Sequence, residues 1–296
     1  MSESLWRYAF LLSLAMLLPI ILHMLFFRLG MRCLIARKMV RVNFAKKVIP
    51  TAGGLLLLGN LSVTFLVIAF FSTYLSVFAY PLKEGLLFLT GSIAVALWGW
   101  QDDRSSDRSS KGFRGHFAAL LNEERMTSGL LKALGIGSTS FILSLALSDG
   151  VLEMIFDTGI LALSCNFLNL FDLRPGRAIK VFWLLGILLF LTTPILSVVP
   201  WVMALPIVFT TLLYFVHDAR GHIMLGDAGA NYLGFLLGYA SVMSLSLEVK
   251  FVVLLLLILI TWLAEYVSFS AYIRSVKWLH RADQWGSPIR RPSRGS

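Results

Sequence analysis

Three carboxylate-bearing segments interrupt an otherwise apolar chain, each where a hydrophobic run meets a polar stretch: Trp100-Gln101-Asp102-Asp103, Asn166-Phe167-Leu168-Asn169-Leu170-Phe171-Asp172 and Leu225-Gly226-Asp227-Ala228-Gly229. Carboxylates at such places suit the holding of a cation or, through a cation, of a phosphate. Asp102 and Asp103, with Asp107 four residues beyond Asp103 and Lys111 four further, can share a divalent ion and leave an oxygen for a proton or a phosphate. Magnesium is the ion they suit, because it keeps waters and accepts phosphate oxygens as ligands. The alternative is a charge-balanced loop start. Asn166, Asn169 and Asp172 share a helical stripe and read as a polar cavity between helices, or as interhelical hydrogen bonds that only hold a bundle together. Arg174, Arg177 and Lys180 follow and could receive phosphates; Arg174 and Arg177, closest to Asp172, are the better candidates. Small residues around Asp227 let backbone approach a ligand, and amides at a helix start favour an anion or a metal-bound phosphate. Asp227 could equally be an N-cap.

Membrane helices must position these segments. The 296 residues are 57% hydrophobic and 14% charged, with apolar stretches of about 20 residues, the length that crosses a bilayer. The expected fold is all-α, a polytopic transmembrane bundle with spans near 5–27, 52–72, 84–101, 128–148, 151–170, 178–196, 198–216, 229–247 and 250–273. With the N-terminus outside, 23 of 26 Lys and Arg fall in cytoplasmic segments, leaving Arg7, Lys83 and Lys250 outside. The C-terminus is then cytoplasmic, and all three acidic segments share that side. Residues 1–280 read as a single transmembrane domain, and 281–296 as a short basic, disordered tail.

The net charge of +10 does not call for nucleic acid, since the basic residues flank spans, where they set topology and attract anionic headgroups of the lipid bilayer. Cys33 and Cys165 both fall near the cytoplasmic side, where disulfides are rare, and their spacing is not that of a metal site. The first apolar stretch lacks a small-residue cleavage pattern and reads as a retained helix. No polar segment is long enough for a separate soluble domain.

The three segments, in this order and on one side, resemble the polyprenyl-phosphate N-acetylhexosamine-1-phosphate transferase family, which includes phospho-N-acetylmuramoyl-pentapeptide transferase. Asp102-Asp103 matches its paired Asp, Asn166, Asn169 and Asp172 its Asn-x-x-Asn-x-x-Asp segment, and Gly226-Asp227-Ala228-Gly229 its Gly-Asp-Ser/Thr-Gly element. Lys46-Lys47-Val48-Ile49-Pro50-Thr51-Ala52-Gly53-Gly54 resembles its Lys-x-x-x-Pro-Thr-x-Gly-Gly motif, and the likeness runs from about residue 46 to 238.

The resemblance implies magnesium-dependent transfer of a sugar 1-phosphate from a nucleotide sugar, such as a UDP-N-acetylhexosamine, to a polyprenyl phosphate such as undecaprenyl phosphate. It implies a cytoplasm-facing site in the cell membrane, a role in cell wall biogenesis, and a homodimer. Asp227, with Asp103, would bind magnesium; Asp102 and Asp103 would orient or deprotonate the lipid phosphate. Lys47 and Lys111 would contact phosphates, and Asn166, Asn169 and Asp172 would line the nucleotide-sugar pocket. Phosphoryl transfer needs mainly positioning and charge neutralisation, which such a set supplies.

Three departures fall on the nucleotide-sugar side. The family's second loop carboxylate is Pro175 here, its base-stacking aromatic aligns with Met224 or Ile223, and its His-x-His-His stretch is missing, His280-Arg281-Ala282-Asp283 being nearest. They imply a donor recognised differently, with Arg174 and Arg177 replacing lost contacts, or a relative that binds the lipid phosphate without transfer. A prenyltransferase would need a second Asp-rich motif, for which Asp218 with Asp227 is a poor candidate. A transporter would need charged pairs near the middle of its spans, and only Glu265 stands near such a place.

Overall fold

The computed structural model describes residues 2–43, 46–77, 82–105, 127–192 and 198–286. Apart from one short hairpin, these residues form helices, because a backbone in hydrocarbon must satisfy its own polar groups. In chain order they are α1 (Ser2–Ala36), β1 (Val40–Val42), β2 (Val48–Pro50), α2 (Gly54–Tyr74), α3 (Leu82–Arg104), α4 (Ser128–Leu147), α5 (Val151–Phe171), α6 (Arg177–Phe190), α7 (Val198–Ala219), α8 (Gly226–Ser244), α9 (Leu247–Ala264), α10 (Phe269–Ser275) and α11 (Lys277–Gln284). The strands pair antiparallel with Arg41 opposite Ile49.

The bundle is built around α8, which is buried on every face and packs against α5, α3, α2 and α6. Small residues make this possible. A Cβ on Gly54 would lie 2.0 Å from the Gly229 Cα, and one on Gly234 would lie 2.3 Å from the Ser164 carbonyl oxygen. The outer helix α9 instead turns Leu255, Leu256, Ile258 and Leu259 outward, as a lipid-facing helix does.

Among the described residues, seven helices are long and apolar enough to cross a membrane: Leu5–Ala36 within α1, then α2, α3, α4, α5, Pro200–Ala219 within α7, and α9. The nine-span expectation differs at three places. The span expected at 178–196 is α6, only 14 residues long. The one expected at 229–247 is α8, whose glycines, serines and Asn231 serve packing inside the protein and dilute its hydropathy. The last, 250–273, breaks after Ala264: Val267 N–H returns to the Leu263 carbonyl at 2.8 Å, and Ser268 caps a new short helix, α10.

The tail boundary at 280 falls inside α11, so residues 281–286 belong to a helix and its end; residues 287–296 lie outside the described ones. Cys33 is exposed and Cys165 buried, and both are free thiols. Lys250, placed on the outer side at the start of the last expected span, is only 2% exposed, and its Nζ lies 2.6 Å from Glu153 Oε1 and 3.0 Å from Asp157 Oδ1. Ser148 Oγ donates to the other Asp157 oxygen at 2.8 Å. This ion pair joins the starts of α5 and α9, at the opposite end of the bundle from Asp172. The pairing satisfies charges that would be costly alone.

Candidate functional site

Ends of five helices gather the chemistry. Asp102 and Asp103 stand in the last turn of α3, Asp227 in the first turn of α8, Asp218 in the last turn of α7, Asp172 caps α5, and Lys132 lies in the second turn of α4. Lys132 Nζ bridges two carboxylates, 2.6 Å from Asp102 Oδ2 and 2.5 Å from Asp227 Oδ2. All three side chains keep some access to water.

Asp103 is turned inward and is 5% exposed. Its Oδ2 accepts from the Ala228 amide at 3.0 Å and so caps α8 from another helix, while Oδ1 is buried with no hydrogen-bond partner among the described residues. Arg41, from the hairpin, donates to the Asp103 carbonyl at 2.8 Å and holds a guanidinium nitrogen 4.0 Å from Oδ1. Gly226 is needed here. Its φ of 72° is costly for other residues, and a Cβ would sit 2.6 Å from Asp103 Oδ2.

Asp172 joins the same cluster. Burial, together with the negative charges of Asp218, Asp227 and Asp103, pushes its carboxyl well above the ordinary value, while the Gly226 amide pulls the other way. Asp218 accepts from the Gly176 amide at 2.7 Å and so fixes the loop between α5 and α6. Tyr214 is fully buried nearby, with a hydroxyl that has no hydrogen-bond partner among the described residues.

The remaining expected site residues are placed as follows. Asn166 and Asn169 are half-buried on the last turns of α5. Lys47 is exposed in the hairpin turn, where its amide donates to Asn43 Oδ1; the cation reaching Asp103 from that hairpin is Arg41. Lys111 lies outside the described residues, as does Asp107.

Arg174 and Arg177 are turned to the C-terminal helix. Arg177, 3% exposed, grips Asp283 with two bonds, Nε to Oδ1 at 2.6 Å and Nη2 to Oδ2 at 2.9 Å, and also donates to Ser270 Oγ. Arg174 reaches the same carboxylate at 3.5 Å. Lys180 caps the end of α11 through the carbonyls of Ala282, Asp283 and Trp285, and the Trp285 ring stacks on Phe215.

Burial alone would raise the Asp283 carboxyl, but the Arg177 bonds, with Arg174 and Lys180, hold it below its ordinary value. A depressed carboxyl contributes stability that is present above its unfolded value and lost as pH falls through the folded one. Docking of α11 is therefore expected to weaken below about pH 4. Asp283→Ala should do the same at neutral pH, since it strands a buried guanidinium at a cost of about 3 kcal/mol. Hydrogen exchange across 277–284 reports both, and unchanged protection in the variant would contradict the account.

Magnesium needs only one or two carboxylates when substrate phosphates complete its shell. Asp103 Oδ1 and the partly exposed Asp227 fit that demand. Among the described residues, no three His, Cys, Asp or Glu side chains converge as a closed metal cage, and the cation now between Asp102 and Asp227 is Lys132. Sequence reasoning missed Lys132, Arg41 and Tyr214 as site residues. It set Asp218 aside. The first two were counted as topology-setting charge.

No protein-family model matches the chain, and no curated protein matches it.

Proposed function

We propose that the chain is a membrane phospho-sugar transferase. It moves a sugar 1-phosphate from a nucleotide sugar, a UDP-N-acetylhexosamine in the first instance, to polyprenyl phosphate at the cytoplasmic face of the cell membrane, where it would serve cell wall biogenesis. The observation that carries this reading is the meeting of Asp102 with Asp227 across Lys132, beside Asp103, which caps the start of the Asp227 helix. These carboxylates come from motifs more than 120 positions apart, the ones by which the chain resembles that family.

In the reaction, an oxygen of the lipid phosphate attacks the phosphorus that bears the sugar. The bond from that phosphorus to the bridging oxygen breaks, and its electron pair leaves with the nucleoside monophosphate. Asp102, more open than Asp103, is the carboxylate that orients the acceptor phosphate and takes its proton. Asp103 holds the start of α8 in place and, with Asp227, would hold magnesium, which supplies neutralisation of phosphate charge. Lys132 stands where negative charge accumulates, between two groups that would otherwise repel substrate.

The sidedness rests on the basic residues. Arg37, Arg41, Lys132, Arg174 and Arg177 cluster at the site end, which the distribution of positive charge assigns to the cytoplasm. In this reading α6 and α8 are the two further crossings, since each starts at the site end and the helix before it finishes there.

Nucleoside monophosphate release by purified protein, given magnesium, undecaprenyl phosphate and a panel of nucleotide sugars led by UDP-N-acetylglucosamine, tests the proposal. Release should require the lipid and fall at least 100-fold in Asp227→Asn. Absence of release with every donor would retire it. A second reading, a relative that binds polyprenyl phosphate without transfer, is favoured by the commitment of Arg174 and Arg177 to Asp283. Lipid-phosphate binding without product would select it.

A further inference from the structure

A cavity of about 530 Å³ opens beside Asp103, between the end of α1, the hairpin and the end of α3. Arg37, Lys38, Arg41 and Arg104 line it together with Met39, Val40, Thr51, Asp103 and Ser105. Among the described lining residues four cations face a single carboxylate, and that carboxylate is already neighboured by Arg41.

Among the described residues, one buried donor in the cavity lining has no hydrogen-bond partner: Thr51 Oγ1, on a residue 2% exposed. Buried polar groups are ordinarily satisfied, so this hydroxyl marks a place where an acceptor can bond. The rim is also held in costly geometry. Lys38 occupies a left-handed conformation, φ 58°, at the C-terminus of α1, where glycine is the usual residue, and Ala52 beside Thr51 does the same at φ 57°. Arg104 lies over the Trp100 ring, 4.8 Å from its centre, which preorients the guanidinium.

We propose that this cavity binds a phosphoryl group, as monophosphate or diphosphate, with the Arg37, Lys38, Arg41 and Arg104 side chains as donors and the Thr51 hydroxyl at its floor. Guanidinium groups bind phosphate oxygens in pairs, and a cavity of this volume accommodates a small phosphorylated ligand. Joined to the transferase reading, on which this step alone rests, the cavity supplies the phosphate contacts that Arg174 and Arg177 cannot make while they hold Asp283.

The test is equilibrium binding of inorganic pyrophosphate to the full chain in nanodiscs of neutral lipid. Wild type should bind. Arg37→Ala with Arg104→Ala, both on exposed side chains, should weaken binding at least tenfold, whereas Arg174→Ala should leave it unchanged. Competition by uridine diphosphate assigns the site to a soluble phosphate, and competition by polyprenyl phosphate placed in the nanodisc assigns it to a lipid headgroup. Either outcome supports the proposal. No binding by wild type, or equal binding by the double variant, overturns it. Nucleoside monophosphate release measured in parallel separates the two readings: release with equal binding retires only the cavity, and binding lost in the variant with no release by wild type retires only the transferase.

Discussion

Replacing Lys132 with methionine is expected, on the proposed transferase reading, to lower nucleoside monophosphate release at least 100-fold, on the order of 3 kcal/mol of transition-state stabilisation, and to destabilise the fold by about 1–3 kcal/mol. The Lys132 ammonium touches a carboxylate from each of two other helices, α3 and α8. Its removal leaves Asp102 and Asp227 facing one another with no cation between them. Their partial exposure to water discounts the penalty from what a fully buried pair would show. The loss should depend on partner. In Asp227→Asn, the further change Lys132→Met should cost less stability than it does in wild type, because one of the two repelling charges is already gone. Strict additivity of the two substitutions, measured by thermal unfolding in detergent, would argue that Lys132 does not neutralise Asp227. Full activity of Lys132→Met would remove the ammonium from the reaction.

That lysine shows why part of the site was legible in the sequence and part was not. Asp102-Asp103 and Gly226-Asp227-Ala228-Gly229 announce themselves because carboxylates are out of place at the ends of apolar helices. The structure brings these motifs together through the Asp103 cap on α8. Lys132 and Arg41 carry no such signal. Basic residues flanking membrane helices are expected from topology alone, so nothing local distinguishes a cation that meets a carboxylate from one that meets a headgroup.

Arg174 and Arg177 illustrate the converse. Their nearness in sequence to Asp172 made them candidates for phosphate, yet the partner that claims them, Asp283, lies more than 100 positions away. The span pattern diverges at α8 for a related reason: its small and polar residues face the enclosing helices α2, α3, α5 and α6, a role that hydropathy does not register. Lys250 likewise gives no sign in the sequence of its partners Glu153 and Asp157, which lie on another helix.

Substituting alanine for Gly54 is expected to be among the most damaging single-methyl changes in the protein. A Cβ there would lie 2.0 Å from the Gly229 Cα and 2.2 Å from its nitrogen. Both are backbone atoms of the central helix, so no side-chain rotation relieves the overlap, and α2 and α8 must separate. Overpacking costs about 1–3 kcal/mol where side chains can adjust; here the upper end of that range, about 3 kcal/mol, is the expectation. The displacement would also carry function with it. Gly54 N–H donates to the Leu225 carbonyl at 3.0 Å, one residue before the turn that presents Asp227, and the Ala228 amide bonded to Asp103 follows directly. Shifting the start of α8 therefore pulls Asp227 from Lys132 and Ala228 from Asp103 together.

Gly59, one and a half turns further along the same helix, supplies the control. A Cβ on it meets nothing within 4 Å, and Gly59→Ala should leave activity intact while stabilising α2 by about 0.5–1 kcal/mol. Thermal stability in detergent and nucleoside monophosphate release, measured on both variants, separate contact from propensity. If Gly54→Ala proves as stable as Gly59→Ala, the close crossing of α2 and α8 is not what holds the carboxylates together. If Gly54→Ala folds but loses release while Gly59→Ala keeps it, the backbone contact between these helices sets the position of Asp227.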